Sequence, residues 1–341
     1  CHQRSTGRAG PLRRQPGVTG SPVPLGRGGV TRVLITGASG WIGSAVVPEL
    51  IDAGHQVVGL ARSDASAAAL SAAGVEVLRG TLDDLDALRS AAAASDGVLH
   101  LAFKHDIAFS GDFQGAADAD RRAIDTFGEA LAGSDRPFVI AAGVLGLAPG
   151  RLATERDGHR HDPAATPLIG GVQTRMANAE ATVALASRGV RSSVVRLAPT
   201  VHGDGDHGFL ATLVAIARAK GVSGYLGDGS NHWPAVHRID AAHLFRLALE
   251  KAPAGSTLHA VADQGVPIRA VAEVIGRHLG LPVAAVAPED AGGHFGWLAG
   301  FIGADSPVSS ELTRELTGWQ PTQPGLLDDL DRGHYFRTPA A

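Results

Sequence analysis

Thr36-Gly37-Ala38-Ser39-Gly40-Trp41-Ile42-Gly43 is the stretch of this 341-residue chain whose residue types and spacing carry the plainest chemistry. Three glycines so spaced, between an apolar run and an amphipathic one, suit a strand-to-helix turn that cradles a pyrophosphate. Gly37 permits the tight turn, Gly40 lets the backbone approach the phosphates, and Gly43 lets helix and strand pack closely. The helix start, with Ser39, Trp41 and Ile42, supplies amide donors and the positive end of a dipole. At the end of the next apolar run, Gly59-Leu60-Ala61-Arg62-Ser63-Asp64 bears on cofactor choice. A carboxylate there holds the ribose 2′-hydroxyl of NAD, whereas an arginine accommodates the 2′-phosphate of NADP. Ala61 occupies the acid's place and Arg62 follows it, so NADP is expected. NAD, with Asp64 on the ribose, is the alternative.

A second set of candidates is imidazoles. Of 15 histidines, His105, His202, His207, His232 and His237 fall on segments expected near the reacting end of such a cofactor. Imidazole titrates close to neutral pH and can move a proton. A hydrogen-bonded structural role is the competing reading for each. His202-Gly-Asp204-Gly-Asp206-His207 also gathers two imidazoles and two carboxylates within six residues. Zinc needs ligands fixed in known spacings, and no third anchoring motif appears, so no metal is expected.

These residues must be placed by regular elements. Apolar runs predict strands at 32–36, 56–60, 76–79, 98–103, 138–142 and 193–197. Helical patterns lie between them near 42–53, 65–73, 84–94, 116–132 and 174–187. Runs apolar throughout suit strands buried on both faces, and the alternation implies an α/β, Rossmann-type doubly wound parallel sheet. Pro48 falls inside the first helix, where a lost hydrogen bond and a kink are expected. Beyond Leu197 the pattern loosens. A helix is predicted at 240–251 with Asp240 as its N-cap, and another at 268–279 stopped by Gly280. Residues 30–200 are read as the NAD(P)-binding domain. Residues 201–341 are read as a small substrate-binding lobe with elements returning to the Rossmann core. Residues 1–29 are Gly-, Pro- and Arg-rich without periodicity and are expected to be a disordered extension from a mis-called start.

Composition narrows the function. Lys and Arg number 30 against 34 Asp and Glu, a net charge of −4. Five of those arginines lie before residue 31 with no acid, so the remainder is more acidic still. That balance does not suggest nucleic acid or an anionic membrane as partner. One cysteine excludes an internal disulfide framework. No apolar run approaches the roughly 18 residues of a membrane span. A cytoplasmic protein taking a small-molecule substrate is expected, with a homodimer as the assembly to look for.

Several motifs together resemble a known family. TGASGWIG is similar to the TGxxGxxG turn of extended short-chain dehydrogenases, the NAD-dependent epimerase/dehydratase group. Val98-Leu99-His100-Leu101-Ala102 resembles its fourth strand, and 195–203 its LRPxxVYG segment. Val236-His237-Arg238-Ile239-Asp240 resembles VHVDD, and Gly318-Trp319-Gln320-Pro321 the terminal GWxP. The resemblance implies cofactor contacts from Leu101, Ala102 and Pro199. It also implies contacts from Thr81 and Leu82, although Thr81 replaces the acid of the family's GDL. His202 takes the place of the tyrosine in VYG, just after the sixth strand, and is expected to be the general acid, with His105, His207 or a bound water as substitutes. The family's YxxxK pair is missing: lysines occur only at 104, 220 and 251, and four residues before each stand His100, Ile216 and Leu247. Alignment on Ala179-Glu180 puts Val172 and Met176 at the Tyr and Lys positions. Strand five ends in alanines where the family has Ser or Thr. The expected function is an atypical NAD(P)-dependent oxidoreductase acting on a small carbonyl or hydroxyl compound. The alternatives are a non-catalytic NAD(P)-binding sensor or regulator and, last, a nucleotide-sugar epimerase or dehydratase.

Overall fold

Alternation along the first strand shows how the apolar runs are used. Val33 and Ile35 of β1 (Arg32–Thr36) join one core cluster and Leu34 the other, so both faces are covered. The computed structural model describes residues 31–148, 150–158 and 172–337; the expected extension at 1–29 lies outside them. After β1 come α1 (Gly43–Asp52), β2 (Gln56–Ala61), α2 (Asp64–Ala72), β3 (Glu76–Arg79), α3 (Leu85–Ala93) and β4 (Gly97–His100). A short α4 (His105–Phe109), α5 (Phe113–Leu131), β5 (Pro137–Gly143), α6 (Val172–Ala184) and β6 (Arg191–Leu197) follow. β4 stops earlier than predicted because Leu101 N turns to Thr36 O (3.1 Å) and Ala102 N to Thr36 Oγ1 (3.3 Å). α1 continues through Pro48, which lies on its exposed side.

The later chain adds β7 (Thr200–His202), α7 (Phe209–Lys220), β8 (Ser223–Leu226), β9 (His232–His237), α8 (Arg238–Lys251) and β10 (Ser256–Ala260). β11 (Asp263–Pro267), α9 (Ile268–Leu279), β12 (Val283–Val286) and several short helices complete it, among them Glu311–Thr317 and Leu326–Asp331. The central sheet runs β10-β6-β5-β4-β1-β2-β3, all parallel. Strand order reverses between β1 and β4, where open α/β sheets leave a crevice at their carboxyl ends. Val46, Val47 and Leu50 of α1 and Leu244, Phe245 and Ala248 of α8 cover one face. Leu88 of α3, Ile124 and Phe127 of α5 and Ala179 of α6 cover the other. A second sheet, β11-β9-β7, and the pair β12-β8 form a lobe with its own core around Trp233, Leu213, Val271 and Phe295. Among the described residues no helix is long and apolar enough to cross a membrane.

Asp240 corrects an expectation. α8 begins two residues earlier, with His237 as N-cap and its Nδ1 accepting from Ile239 N (3.3 Å). The buried Asp240 carboxylate instead accepts from Thr322 N (2.9 Å) and Gln323 N (3.0 Å), and its carbonyl accepts from Trp319 Nε1 (2.9 Å). The acid of one motif therefore clasps the GWQP motif near the chain's end.

Candidate functional site

The glycine turn sits at the strand-order reversal, and each glycine answers to a different neighbour. Gly37 has φ +73°, and a Cβ there would lie 2.7 Å from Ala102 N. A Cβ on Gly43 would lie 2.1 Å from Gly37 O. At Gly40 a Cβ would meet only Gly37 O, at 3.2 Å, and otherwise open space. The outer glycines are thus demanded by packing against Leu101 and Ala102 and within the turn, while the middle one leaves a face clear. α1 has no side-chain cap; Ser44 N and Ala45 N turn back to Gly40 O (2.9 Å) and Ile42 O (3.0 Å), and the positive end of the helix lies at the turn. Ser39 is exposed there, Ile42 packs against the core, and Trp41 donates through Nε1 to Val201 O (2.9 Å).

At the other end of the crevice two guanidinium groups gather past β2. Arg62 is exposed and pairs with Asp106 on α4 (2.8 Å). Arg79 pairs with Asp64 (2.5 Å) and donates to Ser63 O (2.6 Å). Asp64 is therefore engaged, while both arginines remain open to solvent. Thr81 does not present a spare hydroxyl donor: its Oγ1 donates to Asp84 (3.0 Å), which also accepts from Thr81 N (2.6 Å). Leu82 is buried in the core.

Past β4, the chain forms the crevice's far wall. Phe103 meets the His105 ring edge-on at 5.1 Å and lies under the Arg175 guanidinium, 4.0 Å from its ring centroid. His105 keeps an exposed edge. Crowding of protein around its ring, aided by the Arg175 and His207 charges, pushes its pKa down to about 4. His207 meets Trp41 edge-on at 5.7 Å, and Arg238 stacks on the other side of the site over Trp41 at 4.1 Å. His207 thus lies against Trp41 of the glycine turn and His105 against Phe103 past β4, near enough for their charges to interact. Arg175 on α6 stands one residue before Met176, a cation at an offset that YxxxK does not specify. Its position on the helix that should carry YxxxK was the available signal. Lys104 is tied to Asp83 (2.6 Å).

His202 is not at the crevice. Its ring is fully buried, with Nδ1 against Asp329 Oδ2 (2.8 Å) and Nε2 enclosed without a partner. Pairing of β7 with β9 turns it inward onto the helix at Leu326–Asp331, where it meets His237 edge-on at 5.3 Å. Its Nδ1 contact ties the loop after β6 to the helix at Leu326–Asp331. Pro199, half-buried, leads into that loop. Tyr335 secures it from below, its hydroxyl accepting from Gly203 N (3.1 Å) and donating to Asp206 Oδ2 (2.9 Å). Burial raises both the Asp206 carboxyl and the Tyr335 phenol above their ordinary ranges. Among the described residues no group of three or more His, Cys, Asp or Glu is placed to hold a metal. A depression of about 420 Å³ beside Lys220, Val286 and His294 shares no residue with the crevice.

Residues 33–117 match the model of the NAD dependent epimerase/dehydratase family. An uncharacterized protein of Schizosaccharomyces pombe is 47% identical over 306 residues, covering 89% of this chain and 100% of its own length. Another, of Saccharomyces cerevisiae, is 46% identical over 306 residues, covering 89% and 99%. Among solved structures, the dTDP-glucose 4,6-dehydratase DesIV of Streptomyces venezuelae, with NAD bound, superposes with a TM-score of 0.70. That superposition covers 89% of this chain and 96% of DesIV at 20% identity, a likeness of fold.

Proposed function

Since the chain belongs to the NAD-dependent epimerase/dehydratase family, we propose that it is an NADP-dependent oxidoreductase acting on a small carbonyl or hydroxyl compound. The observation that carries this reading is the pairing of the open Gly40 face with two imidazoles, His207 against Trp41 of the same turn and His105 past β4. The open face and uncapped helix start fit a dinucleotide pyrophosphate, and Arg62 and Arg79 fit a 2′-phosphate. Bound, the cofactor supplies or accepts the hydride. His105, neutral at pH 7, donates a hydrogen bond that polarises the substrate oxygen, and His207 gives up the proton. The buried Thr36–His100–Asp120 chain (2.6 and 3.1 Å) holds the floor of the site rigid. A cytoplasmic setting suits a chain with one cysteine.

Fluorescence titration tests the cofactor half: NADPH should bind at least tenfold more tightly than NADH, and Arg62→Ala should remove most of that preference. Equal affinities would refute the NADP assignment. His207→Gln should lower turnover by roughly 100-fold while NADPH affinity stays within twofold. A second reading, cofactor binding without turnover, is favoured by Val172 and Met176 at the YxxxK positions. Absence of NADPH oxidation over a broad carbonyl panel, with normal NADPH binding, would select it. A nucleotide-sugar substrate ranks below both, because that chemistry leans hardest on the replaced tyrosine.

A further inference from the structure

Among the described residues, Arg175 has no ion-pair partner. Its Nε is wholly enclosed and has no hydrogen-bond partner. Asp120 is the acid whose charge reaches it, yet Asp120 is spent on His100 Nε2 (3.1 Å) and Asn178 Nδ2 (2.9 Å). The contact that does hold the guanidinium is the Phe103 face at 4.0 Å. A desolvated cation without a counter-ion costs folding free energy, and such a residue persists where a ligand supplies the anion. Phe103 follows Ala102, whose backbone touches Gly37, so this cation lies in the wall of the crevice beside His105. With its carbon over the Phe103 face, the guanidinium keeps a planar fork of donors, the geometry that matches a planar carboxylate. One guanidinium also matches a monoanion.

We infer that Arg175 anchors the carboxylate of the substrate, so that the natural reactants are small oxo acids or hydroxy acids. This rests on the oxidoreductase reading above and gives it a substrate class. The carboxylate pairs with Arg175 while the neighbouring carbonyl oxygen meets His105. Neutral aldehydes and ketones lack the anchor.

The test uses oxamate, a non-reducible carboxylate, titrated into the full chain with and without NADPH and followed by melting temperature and NADPH fluorescence. Wild type should bind it saturably. Arg175→Gln should weaken that binding roughly 10- to 100-fold, with partial retention in Arg175→Lys. NADPH affinity should stay within twofold, and the unliganded Arg175→Gln melting temperature should equal or exceed that of wild type, because an unpaired enclosed charge has gone. Three results overturn the inference: oxamate binding that ignores Arg175, a tenfold loss of NADPH affinity in Arg175→Gln, or inorganic phosphate binding more tightly than oxamate. The second would mean that the cofactor's phosphate is the missing anion. Wild type alone supplies an independent arm, with 2-oxobutyrate reduced at least 100-fold more efficiently than 2-butanone. Equal efficiency overturns the anchor and leaves the oxidoreductase standing. Reduction of neither, with Arg175-dependent oxamate binding intact, does the opposite.

Discussion

Adding a single methyl group at two glycines of the same turn should separate folding from binding. In Gly43→Ala the new carbon would sit 2.1 Å from Gly37 O and 2.7 Å from Ala38 Cα, so backbone atoms must move by about 1 Å. Overpacking against backbone lies at the upper end of its usual range, about 3 kcal/mol. For a domain of this size that lowers the melting temperature by about 5 °C. In Gly40→Ala the sole close neighbour is Gly37 O at 3.2 Å, and Gly40 has no positive φ. Stability should change by less than about 1 kcal/mol in either direction. The methyl then occupies the face left clear for phosphate oxygens. Losing two charge-assisted hydrogen bonds there amounts to roughly 3 kcal/mol, or about 100-fold in NADPH affinity. Calorimetric melts and NADPH fluorescence titrations on both variants decide the matter. Tight NADPH binding by Gly40→Ala, or an unchanged melt for Gly43→Ala, refutes the division of labour.

Other perturbations probe the buried histidines. His202→Gln strips Asp329 of its partner and should cost about 3–5 kcal/mol of stability, partly recovered by adding Asp329→Asn. A 100-fold loss of turnover at unchanged stability would show that His202 reaches substrate after all. His259 is fully buried, with Nδ1 donating to Ser309 O (2.8 Å) and Nε2 facing Arg196 Nη1 (3.4 Å), and burial holds its pKa near 4. An unfolded histidine takes up its proton near pH 6.5, so stability should fall as pH drops from about 6.5 to 4, by up to about 3 kcal/mol for this group. Urea melts across that interval should show a shallower slope in His259→Gln; an identical slope would refute the assignment.

The Rossmann half was legible because each buried strand is a short apolar run with its own punctuation. β1 and β3 fall on the predicted residues, and the ends of the others differ by three residues at most. The glycine turn was legible for the same reason, being local. What escaped depends on partners far away in sequence. Nothing around His202 tells that Asp329, 127 residues later, waits for its Nδ1, so the local pattern shows only a loop histidine at the sheet's carboxyl edge. Asp240 looked like a helix cap because caps are local, whereas its acceptor work is for Thr322 and Gln323. Arg175 is not legible from YxxxK, because that motif ties residue type to offset, whereas Arg175 stands one residue before the lysine's place. The strands of the second lobe are three to six residues long, too short for a period to stand out.

The place of β10 in the central sheet has a consequence for how the chain is made. Residues up to Leu197 can pair six strands, but β6 then ends the sheet with its hydrogen-bonding edge bare, and α8 is missing from one face. Both arrive only after residue 237, once β7, α7, β8 and β9 have been laid down. During synthesis, the cofactor half must therefore wait, edge exposed, for a segment more than 50 residues downstream: Ser193 pairs with Ser256. A bare edge of this kind recruits other chains as readily as its own. Ribosome-bound intermediates of this protein are accordingly where chaperone engagement belongs, and a gene fragment ending at Leu197 is a recipe for aggregates, however complete its motifs look on paper.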